Sequence, residues 1–109
     1  MTTSRDIVVI YSTVPAAESE KIARHLVDRR IVACVNVFPV RSYYRWEWEF
    51  CDEPEQLMII KTAREKTQEV IAEIKKIHPY ELPEIIVLPV IAGYPPYISW
   101  VRKETKESC

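Results

Sequence analysis

Residues 78 to 84 read His-Pro-Tyr-Glu-Leu-Pro-Glu, an imidazole, a phenol and two carboxylates within seven positions. Such groups hold metal ions or move protons. Pro79 and Pro83 fix their own φ and steer His78 and Leu82 away from helical geometry, so the stretch is stiff and holds its polar groups in place. An apolar-periodic segment precedes it and the run Ile85-Ile86-Val87-Leu88 follows. A stiff helix-to-strand connection rich in acid and base is where chemistry is expected. The plainer alternative is a polar loop whose His and Glu satisfy backbone groups.

The elements that must position this segment form one domain, residues 1–109, large enough for a single core. Apolar residues at 48% and charged residues at 28% are ordinary globular values. Net charge is −1 with acids and bases interleaved, and the absence of a basic stripe argues against a nucleic-acid partner. No apolar run approaches the ~20 residues of a membrane span, and Met1-Thr2-Thr3-Ser4-Arg5 leads into a strand without a signal-type core. A soluble, cytoplasmic protein is expected. Cys34, Cys51 and Cys109 are odd in number and lack C-x-x-C spacing, which supports neither a zinc ribbon nor a disulfide framework. Cys34 reads as a small core hydrophobe. Gly93 is the only glycine, so P-loops, dinucleotide fingerprints and nucleophile elbows are excluded. Eight prolines punctuate the chain instead, and such loops lose less entropy on ordering.

Asp6 to Tyr11 is a nearly continuous apolar run, as a buried strand requires. Ala16 to Arg29 places Ile22, Ala23, Leu26 and Val27 at helical spacing, with acids early and bases late, the sense the helix dipole favours. Ile31 to Phe38 is β-branched and apolar, a second strand that Pro39 interrupts. Arg41 to Phe50 continues as an extended segment, with Tyr44, Trp46, Trp48 and Phe50 expected on one face by alternation. Asp52-Glu53-Pro54-Glu55 reads as an acidic turn, and Gln56 to Thr62 as the third strand. Arg64 to His78 is a second helix burying Val70, Ile71, Ile74 and Ile77. Strand four runs from Glu84 to Ile91, and Tyr94-Pro95-Pro96 opens a terminal helix whose last residues should fray. The fold class is α+β: a ferredoxin-like βαββαβ arrangement, both long helices on one face of an antiparallel sheet, plus a C-terminal helix and an extended β2–β3 hairpin.

That hairpin is long for so small a domain and would project as an arm. Four aromatics on it would expose a few hundred Å² of apolar surface, more than a monomer comfortably carries. Its unpaired edge adds an aggregation hazard. Packing against further copies of the chain removes both difficulties if the assembly closes into a ring. Tyr44, Trp46, Trp48, Phe50 and Trp100 are the expected contacts. The aromatics could instead cover the chain's own sheet face. Base stacking is disfavoured by Glu47, Glu49 and the lack of an RNP-type pattern.

Ala33-Cys34-Val35-Asn36, Ser42-x-Tyr44-x-Trp46, Lys61-Thr62, His78-Pro79-Tyr80-Glu81-x-Pro83-Glu84 and Tyr97-x-x-Trp100, taken in order, resemble the CutA divalent-cation tolerance proteins over nearly the whole chain. The resemblance implies an intracellular homotrimer with clefts near subunit boundaries, and an architecture similar to the PII signalling proteins. Two departures stand out. Trp48 occupies a place where the family usually has Gly, and Val40 another where Gly often follows the Pro. Some members carry a Cys proposed as a copper ligand where this chain has Ser12.

With that resemblance, His78, Glu81 and Glu84 are the candidate metal ligands. Their nitrogen and oxygen donors suit Cu(II) or another divalent cation, copper by affinity order. Ser12, Tyr44, Trp46, Lys61 and Tyr80 are the candidate lining of a ligand cleft. No cofactor is obligatory. An enzyme built on His78 as base, Lys61 as clamp and Tyr44 as donor lacks an activated nucleophile and a cofactor motif, so a non-catalytic role is expected. The alternatives are a PII-like small-ligand signalling module and a trimeric scaffold for other proteins. For several residues a structural role is equally natural: Lys61 paired with Glu81 or Glu84, Trp46 and Trp100 packed, and His78 at a helix C-terminus.

Overall fold

A computed structural model describes residues 6–105. The elements are β1 (Ile7–Val14), α1 (Ala16–Asp28), β2 (Cys34–Trp46), β3 (Glu49–Ala63), a 3-10 turn (Arg64–Lys66), α2 (Thr67–Ile77), β4 (Ile86–Pro89) and α3 (Pro95–Glu104). The strands form one antiparallel sheet in the order β2-β3-β1-β4. This is the ferredoxin-like arrangement. The expected fraying lies outside the described residues.

Alternation along β1 sorts the core. Val8, Ile10 and Val14 point one way and pack with Ile22 and Leu26 of α1 and Val70 and Ile74 of α2, so both long helices cover that face. Ile7 points the other way and packs with Ile98 and Val101 of α3. Gly93, just before α3, sits where an added Cβ would lie 3.1 Å from Ile98 Cδ1, close enough that Ile98 would have to give way. Arg102 fastens α3 through Glu65 at 3.0 and 2.7 Å and through the Asp6 carbonyl at 3.0 Å. Arg30, in a left-handed turn at φ 60°, donates to the carbonyls of Lys103 and Glu104, both at 3.2 Å. It thereby satisfies acceptors at the open end of α3.

Beyond the strip that α3 covers, the face opposite the long helices is apolar and open. The pairing places Phe38, Leu57, Ile59, Tyr11, Ile86 and Leu88 on it. Phe38 and Ile86 are exposed, and the other four are half-buried. β2 contains no fully buried residue along its 13-residue length.

Several expectations are corrected. The hairpin turns at Glu47-Trp48, and Asp52 to Glu55 lie within β3. Both turn residues have positive φ, 49° and 70°, as a two-residue primed turn demands even without Asn or Gly. Pro39 does not interrupt β2, because β2 is a sheet edge, where a missing N–H is tolerated. Pro54 is likewise tolerated, since β1 ends opposite Gln56 and β3 has a free side beyond it. The four aromatics do not share a face. Tyr44 pairs with Cys51 and Trp46 with Glu49, while Phe50 pairs with Arg45 and its ring lies 6.4 Å from Tyr43. Trp48 is at the tip. β4 is shorter than expected, α2 starts at Thr67 after the 3-10 turn, and Val27 is exposed. Ile71 and Ile77 are half-buried, as is Cys34, which lies on the open face and not in the core.

Candidate functional site at the base of the arm

The connection from α2 to β4 lies against the base of the arm, and His78 places it there. As the C-cap residue of α2 it leaves the helix with extended backbone, its N–H donating to the Ile74 carbonyl at 2.8 Å. Its Nε2–H donates to the Thr13 carbonyl at 2.8 Å, and its Nδ1 accepts the Tyr80 N–H at 3.1 Å. One ring therefore ties the end of α2 to the end of β1 and turns the chain toward Tyr80. With 7% of its surface exposed and both nitrogens engaged, His78 is a positioning residue.

Tyr80 continues the chain of contacts. Its ring lies 4.8 Å from that of His78, and its hydroxyl donates to Glu55 Oε2 at 2.7 Å. Burial first, then the bond to Glu55, pushes the Tyr80 phenol well above its usual range, so it remains a donor. Glu55 is 5% exposed. Partial desolvation, then nearby Cys51 and the carboxylates of Glu53 and Glu55, also raises the Tyr44 phenol.

Two adjoining cavities open here. One, of about 300 Å³, is lined by Tyr44, Trp46, Pro79, Tyr80, Glu81 and Leu82. The other, of about 340 Å³, reaches Glu55 and Glu84 between Thr13, Ser42 and Tyr44. Aromatic faces and carboxylates can hold a ligand that is both apolar and positively charged.

The sequence-derived candidates divide accordingly. Tyr44, Trp46 and Tyr80 come together, with Glu81 and Glu84 beside them. Ser12 does not join them. It lies on the helix-covered side of β1, fully buried, and its Oγ has no hydrogen-bond partner among the described residues. Lys61 is paired across the ladder with Cys34, far along β3 from Tyr44, and hydrogen-bonds to Asn36. Trp100 stacks on Tyr97 at 5.7 Å on α3. Glu55 was hidden in sequence because Asp-Glu-Pro-Glu has the composition of a turn; two-residue alternation carried past Pro54 would have placed it on the face of Tyr44.

The expected metal donors do not converge. His78 spends both nitrogens on the backbone, and Glu81 and Glu84 line different cavities. Among the described residues no three His, Cys, Asp or Glu side chains are grouped as a metal ion requires. The residues present in one chain do not fit the copper site expected above.

Residues 8–104 match the model of the CutA1 divalent ion tolerance protein family. The chain belongs to this CutA1 family. It is 38% identical over 99 residues to the divalent-cation tolerance protein CutA of Thermus thermophilus, covering 89% of this chain and 96% of that one. Identity to the protein of the same name from Thermotoga maritima is 39% over 98 residues, covering 89% and 97%. Among solved structures, the PII-like protein CutA from Nostoc superposes with a TM-score of 0.88 at 39% identity, covering 91% of this chain and 97% of that one. CutA from Synechococcus elongatus gives 0.91 at 32%, covering 95% and 94%. The two solved CutA structures match 91% and 95% of this chain, consistent with a shared ferredoxin-like fold. No helix among the described residues is long and apolar enough to cross a membrane.

Proposed function

We propose that this chain is a non-catalytic homotrimer that serves divalent-cation tolerance as a PII-like binding module of the cytoplasm, with the arm-base cleft near its subunit boundaries. One observation carries the reading: a long edge strand with no buried residue borders an uncovered apolar sheet face and continues into an exposed arm. Burying such a face against copies of the same chain removes an exposed patch and an open edge together. Head-to-tail pairing must close to avoid fibres, and three copies is the ring that the family resemblance implies. A non-catalytic role is supported by His78 and Lys61, the candidate base and clamp, both being engaged by other protein groups. Chelation by His78, Glu81 and Glu84 is not part of the proposal.

Light scattering after size exclusion tests the assembly. The expected mass is about three times the 12.8 kDa of one chain, falling toward one chain in the Phe38→Ser, Phe50→Ser double variant. A wild-type monomer that persists at micromolar concentration would overturn the proposal. Copper calorimetry on wild type and His78→Ala tests the remainder: a stoichiometric Cu(II) site that the substitution removes would restore chelation by the loop.

A further inference from the structure

The two cavities at the base of the arm are lined by aromatic rings, and one of them reaches the buried carboxylate of Glu55. They share Tyr44, Tyr80 and Leu82, and no Lys, Arg or His is among the described residues lining either one. Glu55 is almost wholly withdrawn from water, and its single hydrogen-bond partner among the described residues is the neutral Tyr80 hydroxyl, on Oε2. No described Lys, Arg or His forms an ion pair with it. A buried carboxylate without a cation nearby is costly, and the cost falls when a positive group arrives. Tyr44 and Tyr80 line both cavities, and Trp46 lines the one adjoining that of Glu55; aromatic rings attract cations.

We propose that this cleft binds a small free organic cation, an alkylammonium or quaternary ammonium compound, with Glu55 as its counter-charge and the three rings as its cage. The walls decide against the other ligand classes. An inorganic divalent cation needs several converging donors, and no three His, Cys, Asp or Glu side chains are grouped among the described residues. Glu55, Glu81 and Glu84 repel anions. Cavities of about 300 and 340 Å³ accommodate a molecule of choline's size. The assignment goes beyond the proposed assembly and stands on single-chain geometry.

Isothermal calorimetry with choline and with putrescine, on the full chain in sodium chloride of matched ionic strength, tests it. Saturable binding of at least one probe is expected. Glu55→Gln keeps the shape and an acceptor for Tyr80, and should weaken that binding about tenfold or more. Trp46→Leu should weaken it several-fold while leaving Glu55 in place, and circular dichroism verifies that both variants fold. Absence of saturable heat at millimolar probe, or affinity unchanged in Glu55→Gln, overturns the proposal. Zn(II) chloride that displaces choline and binds more tightly through Glu55 also overturns it, in favour of a metal. A trimer that ignores choline removes only this inference, whereas a monomer that binds it removes only the assembly.

Discussion

β2 and β3 pass through two different environments. In the body of the sheet β3 buries Met58, Ile60 and Thr62 completely beneath two helices. Past Gln56 the same pair of strands continues as a ladder with one free side, and from Glu49 to Pro54 no residue is fully buried. Backbone pairing is continuous across the boundary, from Cys34↔Lys61 to Trp46↔Glu49. What changes is side-chain support. A ladder alone holds a ribbon's shape only weakly, and a two-stranded ribbon draws its stability from whatever packs on it. Within one chain that support comes from the loop carrying Tyr80, on one side of the arm only.

The largest expected contrast comes from truncating a side chain in each region. Ile60→Ala should cost about 2–5 kcal/mol, measured by urea unfolding. Phe50→Ala, 70% exposed on the arm, should change the stability of the folded single chain by no more than about 0.5 kcal/mol. Equal losses would erase the distinction between body and arm.

Ser12 sharpens the body's side of the comparison. Its hydroxyl is fully buried and has no partner among the described residues, so Ser12→Ala should raise stability by about 1 kcal/mol. Differential scanning calorimetry should show a midpoint higher by roughly 4–8 °C; a lower midpoint would mean that the hydroxyl has a partner in solution.

Glu47 does the same for the arm. Its φ of 49° suits Asn better than Glu, so Glu47→Asn should stabilise the turn by about 0.5–1 kcal/mol. Amide exchange across Tyr44 to Cys51 should slow, while exchange in β1 stays unchanged. Slowing spread evenly over both regions would show that arm and body open as one unit.

The smallest effect belongs to the latch on α3. The two hydrogen bonds from Arg102 hold the Glu65 carboxyl down from its usual 4.5 to about 2. A depressed carboxylate stabilises the fold above its unfolded value, and that contribution fades as pH falls from about 4.5 toward 2. Glu65 faces water, so the loss should stay below about 1 kcal/mol. Glu65→Gln should remove this part of the acid dependence in a thermal-melt series. The bond from His25 to Glu73, which joins α1 to α2 at 2.6 Å, lowers the Glu73 carboxyl too and acts in the same pH direction.

The order of elements was readable because the two periods are clear: Ile22 and Leu26 recur at helical spacing, and the apolar runs of β1 and β3 are short and β-branched. The turn was not readable. Glu47-Trp48 has no residue that favours positive φ, whereas Asp52-Glu53-Pro54-Glu55 has turn chemistry that edge position overrides. That error moved Phe50 onto the wrong face and concealed Glu55. Tyr44, Trp46 and Tyr80 were nameable together because they stand in motifs of the family resemblance. The role of His78 was not nameable, because its bond to the Thr13 carbonyl spans 65 residues and local spacing carries no trace of it.

Arg30 reaches the carbonyls of Lys103 and Glu104 across 73 and 74 positions of chain, so the end of α3 is capped from the turn after the first helix. During synthesis Ile7 and Ala33 must wait, uncovered, until Ile98 and Val101 leave the ribosome. A nascent chain halted before residue 95 would cover the face under α1 and α2 but leave the strip around Ile7 open. Until α3 docks, that strip is the apolar surface most open to wrong contacts.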